Sequence, residues 1–227
     1  MQIRGNFIYL LLSLLGFLAF IAVVTEYPEL GDWGLVSFAF EVSLIIAVWS
    51  LVRQRLWFII GVCLIVLGAI SIVLQMLTDS LYAEIFGITV VFLFYIMTTF
   101  IAFRELFSRG PIDLNKIFGS ICVYLLAGLN WAILYYYQSI LNHDAFNGLE
   151  YSDLKEKMFN LIYYSYVTLS TLGYGDITPN SPIAQVLGVL EALFGQFYIA
   201  ILVAILVGTH ISSRRAQNHI SAGHKNE

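Results

Sequence analysis

Six apolar runs decide what this chain can fold into: residues 6–24, 33–52, 56–77, 81–103, 116–138 and 182–209. A helix needs about 20 apolar residues to cross a hydrocarbon core, and each run is of that order. Inside lipid a backbone must pair its own N–H and C=O groups, which favours helices. Charged residues make up only 11% of the 227 residues and apolar ones 59%, whereas a soluble domain carries about a quarter charged. The expected fold class is an all-α integral membrane protein with six transmembrane helices. The first run is read as a retained helix, because it is long and no small-residue cleavage site follows. Cys63 and Cys122 each lie inside an apolar run. Both are expected to be free thiols, with no metal cluster or redox pair.

A seventh helix, expected over 157–170, is too short to span and runs into Thr168-Leu169-Ser170-Thr171-Leu172-Gly173-Tyr174-Gly175-Asp176. A turn wedged between membrane segments has to be buried in protein or line an aqueous cavity. Glycine takes left-handed backbone at no steric cost, so Gly173 and Gly175 let successive carbonyls turn toward one side. This segment resembles the signature filter of potassium channels, in which four Thr-x-Gly-Tyr-Gly loops replace the ion's water shell with backbone oxygens. The resemblance extends from about residue 111 to the end of the sixth run and is strongest over 163–179. It implies a re-entrant pore helix, with K+ coordinated at Thr171, Leu172, Gly173 and Tyr174 and the filter closed by Gly175. Tyr163, Tyr164, Thr168, Ser170 and Asp176 are implied as filter supports. Leu172 stands where the family most often has valine, a tolerable change because the ligand is its carbonyl. No cofactor is implied beyond K+ as the permeating ion.

In the last run, Gly195 lies at the spacing from Gly175 at which the family places a hinge glycine. Close packing against a neighbouring helix explains a glycine there equally well. Counting turns from it puts Gln196, Ile199, Val203 and Val207 on one face, expected to line the cavity and inner gate. Glu191, five residues before Gln196, is about 140° away at about 100° per residue. It is expected behind the pore helix, bonded to hydroxyls of Tyr164, Ser165 or Thr168, the alternative being direct contact with ions. Residues 138–156, with Asn147-Gly148 as a turn signal, read as an extracellular turret.

Nine basic residues (Arg4, Arg53, Arg55, Arg104, Arg109, Lys116, Arg214, Arg215 and Lys225) fall on one side of a six-crossing arrangement, and Lys155 and Lys157 on the other. The positive-inside rule then puts both termini in the cytoplasm. Trp33, Trp49, Trp57 and Trp131 lie near expected helix ends, as interfacial anchors do. Four helices ahead of one pore is the layout of voltage-gated channels, but residues 81–103 contain no Lys or Arg, and Arg104 and Arg109 are placed beyond that helix. Sensing by moved arginines is therefore not available. Glu41, the lone acid of the second run, is read as a satisfied buried carboxyl beside Ser37 and Ser43.

The expected domains are a four-helix unit over 1–110, a pore domain over 111–211 and a short cytoplasmic tail over 212–227. Near the inner gate, His210, His219 and His224 are read as flexible and solvated, the alternative being a pH sensor. The implied protein is a homotetrameric potassium-selective channel in the plasma membrane, of the bacterial inner-membrane kind. Its partners are other copies, lipids and an unidentified gating partner, with no nucleic acid. The alternatives are a less selective cation channel or a regulatory membrane subunit. No set of acid, base and nucleophile suggests an enzyme.

Overall fold

The computed structural model describes residues 7–30, 55–78, 80–106 and 114–223, with isolated positions from 35 to 46. Six helices are α1 (Phe7–Glu26), α2 (Arg55–Leu77), α3 (Leu81–Leu106), α4 (Leu114–Leu141), α5 (Leu154–Leu169) and α6 (Pro182–Gly223). A 3-10 turn, Pro28–Leu30, follows α1. Among the described residues, all but α5 are long and apolar enough to span a membrane. The protein is an all-α membrane protein. The expected second run and Glu41 lie outside the described residues, although Leu35, Ala39, Val42, Ser43, Ile45 and Ile46 are helical. Arg4, Trp33, Trp49, Arg53, Asp79, Arg109, Gly110-Pro111, His224 and Lys225 also fall outside.

α4 is the hub: α1, α3, α5 and α6 all pack on it, and α2 packs on α3. α1 shows why it belongs there. Its buried residues Phe7, Leu10, Leu14, Phe17, Ile21 and Val24 recur at alternating steps of three and four, a single stripe along a helix. Between helices in lipid the attraction is close van der Waals contact rather than expulsion of water. Phe7 is locked especially tightly. Its N–H donates to Asn115 Oδ1 at 2.9 Å, its carbonyl accepts from Cys122 Sγ at 3.5 Å, and its ring covers Gly119. The start of α1 is thereby fixed to the start of α4.

Three boundaries differ from expectation. α3 runs on to Leu106 with Arg104 in its last turn, since nothing before Gly110-Pro111 breaks a helix; Arg104 is not beyond the helix. α6 continues to Gly223, so the backbone has no boundary at 211. The segment 212–223 holds no Pro or Gly before Gly223 and is helical, with His219 on it and His210 just before it on the same helix. α5 begins at Leu154 rather than 157. Asp153 caps it, accepting from Glu156 N–H at 2.8 Å, while Glu156 Oε2 accepts from Ser152 N–H and Oγ at 2.7 and 2.8 Å. A first-turn carboxylate that reaches back over the cap satisfies donors the helix leaves free.

Candidate functional site

α5 has 16 residues, roughly 24 Å at 1.5 Å per residue, and so ends well inside a hydrocarbon layer of about 30 Å. The chain leaves it through a tight knot of bonds. Thr171 N–H donates to Thr168 O at 2.9 Å, and Leu172 and Gly173 N–H both donate to Val167 O, at 2.9 and 3.3 Å. Ser170 caps the helix, its Oγ donating to Tyr166 O at 2.7 Å. The loop that follows alternates in hand. Gly173 has φ +60° and Gly175 φ +83°, as the glycines suggest, and Thr171 has φ +58°. Positive φ in a β-branched residue is an outlier that residue type does not announce. Every residue from Ser170 to Asp176 is exposed. Among the described residues no hydrogen bond ends on the carbonyls of 171–175. Five carbonyls in a row thus have no partner among the described residues.

The loop is braced on its outer side. Tyr163 Oη donates to Asp176 Oδ2 at 2.6 Å, and the Tyr163 ring lies nearly parallel to that of Tyr174, centroids 6.5 Å apart. Tyr163 and Asp176, each implied as a filter support, are bonded to one another, and Tyr174 lies against Tyr163. The Tyr163 bond holds the Asp176 carboxyl below its ordinary range, and the same bond pushes the Tyr163 hydroxyl up to about 12. The sign is that of a carboxylate favoured by folding: the brace is complete at neutral pH and weakens only as pH falls through the lowered value. For the tyrosine it persists until pH rises toward about 12. Conduction is expected to stay flat on acidification until below the ordinary Asp range. Tyr163→Phe should be impaired already at neutral pH and change little further in that window. Flux against external pH checks this; a parent titrating in the ordinary carboxylate range contradicts it.

The segment expected to be a solvated turret is tied to the loop. Residues Phe146–Asn147 (β1) pair antiparallel with Thr178–Pro179 (β2), Phe146 opposite Pro179. Ala145 O accepts from Asn180 and Ser181 N–H at 2.7 and 3.2 Å, and Gly148 lies against Asp176 O. Ala145 and Phe146 are buried. Phe146 joins Tyr135 and Tyr164 in a cluster of edge-on rings behind α5, centroids 4.8 to 5.7 Å apart. Tyr164 therefore supports α5 rather than the loop directly. Lys155 and Lys157, the two basic residues set apart from the other nine by the six-crossing count, are buried at 4% and 6% exposure. The Lys157 ammonium lies over the Tyr136 and Tyr151 rings at 4.9 and 5.0 Å, a cation–π shelter. Burial lowers its pKa and the Glu84 carboxylate of α3 opposes that shift.

Below the loop, Gln196 Nε2 donates to Thr171 Oγ1 at 3.0 Å. Gln196, Ile199 and Val203 are exposed along one face of α6; the side chain of Val207 is outside the described residues. Gly195 is buried, and a Cβ there would stand 2.0 Å from Leu169 O. The same carbonyl accepts from Tyr124 Oη at 3.1 Å. A close approach of helices accounts for this glycine. Glu191, 0% exposed, meets Ser165 as expected, and also Tyr135, which lies 56 residues away in sequence and was not foreseen.

Residues 117–210, α4 through the spanning part of α6, match a protein family described as "Ion channel". The 171–175 loop lies inside the matched segment. Two relatives from Arabidopsis thaliana share part of the chain. Two-pore potassium channel 5 is 33% identical over 66 residues, 29% of this chain and 15% of the relative. Two-pore potassium channel 2 is 30% identical over 100 residues, 44% of this chain and 20% of the relative. The match thus spans a fifth or less of each relative's length. The chain is thus an all-α membrane protein in which residues 117–210 are similar to an ion-channel domain.

Proposed function

We propose that the chain conducts potassium ions selectively and passively, through a filter made of the 171–175 loops of four identical copies around one axis. The observation that carries this reading is the run of five unpartnered carbonyls on backbone of alternating hand. In the interior of a membrane domain, unpaired carbonyls are costly, and a dehydrated cation is the partner that rewards them. One chain offers one loop, so a coordinating ring requires several. An apolar groove of about 350 Å3 beside the loop, lined by Leu18, Phe159, Tyr163, Val167 and Tyr174 among others, leaves a face for neighbouring copies or lipid. The C-terminal end of α5 carries partial negative charge and sits where the ion enters the loop. The names of the two plant relatives agree with potassium as the ion.

The domain division follows the same reading: a front unit ending near 110 and a pore unit from about 111, with α6 extending past 211. Contact between the starts of α1 and α4 supports placing residues 7 and 115 on one side, cytoplasmic by the count of basic residues, as in a bacterial inner membrane. Purified protein in liposomes tests the function. Potassium is expected to pass and sodium to be excluded, through particles of four copies. Equal passage of both ions indicates the less selective channel, and no flux without another chain indicates a regulatory subunit. Voltage dependence is expected to be shallow, because α3 holds no basic residue before Arg104. A steep conductance–voltage curve in planar bilayers contradicts that.

A further inference from the structure

Glu191 presents a problem of hydrogen counting. Its Oε2 lies 2.5 Å from Tyr135 Oη on α4, and its Oε1 lies 2.5 Å from Ser165 Oγ on α5. Ser165 Oγ also lies 2.7 Å from the carbonyl oxygen of Gly128, on α4. Three oxygen–oxygen contacts of this length need three hydrogens. Tyr135 and Ser165 supply one each, and a carbonyl and a carboxylate supply none. With Glu191 ionised, the set is one hydrogen short. Either Ser165 then faces Gly128 O lone pair to lone pair, or it faces Glu191 that way. Both are repulsive in a site where Glu191 and Ser165 are each 0% exposed.

We infer that Glu191 works as a neutral carboxylic acid, its proton on Oε1. Tyr135 then donates to Oε2, Oε1–H donates to Ser165 Oγ, and Ser165 donates to Gly128 O. Each contact has one hydrogen. The groups around the carboxyl fit this state: Tyr124 and Tyr135 on α4, Tyr164 and Tyr166 on α5 are uncharged phenols, and a buried carboxylate without a cation is costly. The closed chain of bonds fastens α6 and α4 to α5 one turn before Thr168. Glu191 is thus a positioning residue: it fixes the helix from which the 171–175 loop hangs and is not a charge for the ion. This role in conduction rests on the filter reading above; the protonation state does not.

The test compares Glu191→Gln with Glu191→Ala in the full-length protein. The amide of glutamine offers a donor to Ser165 and an acceptor to Tyr135, so Glu191→Gln should keep potassium flux within a few-fold of the parent. Glu191→Ala leaves a buried hydroxyl unpaired, which is expected to lower flux by about tenfold or more. Infrared difference spectra at neutral pH should show the C=O stretch of a protonated carboxylic acid that Glu191→Gln removes. The inference is overturned if Glu191→Gln fails as fully as Glu191→Ala, or if no protonated-acid band is lost on that substitution. Absence of flux in the parent as well would defeat the filter reading instead, and the infrared band would still decide the protonation state.

Discussion

Gly175→Ala is expected to abolish potassium flux while leaving the helices folded. The reason is conformational rather than steric. A Cβ at Gly175 would meet nothing within 4 Å in the single chain, so the substitution causes no clash there. What it meets is φ +83°, where an L side chain costs about 1–2 kcal/mol. In the proposed tetramer that cost falls on four loops, roughly 4–8 kcal/mol for the ring, against a loop whose carbonyls have no other partner among the described residues. The expected outcome is rotation of the Tyr174–Gly175 peptide, which takes a carbonyl off the axis. Gly173→Ala, at φ +60°, should behave alike. Thr171 already carries this cost, and its bonds from its own N–H to Thr168 O and from Gln196 to its hydroxyl help to hold it. Potassium flux in liposomes, with the helical circular dichroism as a control for folding, is the measurement. A Gly175→Ala protein conducting like the parent would show that ions do not pass along these carbonyls.

How much of this was legible depends on where each constraint is written. The loop could be read because its demand for positive φ falls on glycines, and glycine is what such positions select. Thr171 could not, because a β-branched residue gives no hint of left-handed backbone. The start of α5 is legible in the residues: Asp153 and Glu156 stand three apart, a capping pattern within an acidic stretch that reads as a turret. The burial of Lys157 was not readable, since its shelter comes from Tyr136 on another helix and from Tyr151. The same holds for the bridge between 146–147 and 178–179, which joins segments about thirty residues apart and firmly ties down a stretch whose composition suggests a free loop. Membrane spans are legible from apolar length alone, but their ends were set too early at Arg104 and at 211, because a helix passes through polar residues until something breaks it.

Gly195 separates two explanations that the sequence left even, and Gly195→Ala is expected to damage the channel although helix propensity favours it. Alanine in a helix interior is better than glycine by about 1 kcal/mol, so propensity alone predicts a more stable protein. The contact points the other way. The added carbon would stand 2.0 Å from Leu169 O, and both sides of that contact are backbone, so neither can yield by a rotamer change. α6 must move away from the end of α5 by more than an ångström. Overpacking of this kind typically costs 1–3 kcal/mol, which exceeds the gain in propensity and recurs in each copy. The displaced element is the one that carries Gln196 to Thr171 and Glu191 to Ser165, so loss of stability and loss of flux should come together. Thermal unfolding of the purified assembly and potassium flux from the same preparation are the two readouts. A hinge role alone predicts altered opening with unchanged or higher stability. A raised unfolding temperature with undiminished flux would mean that α6 does not approach Leu169 as described.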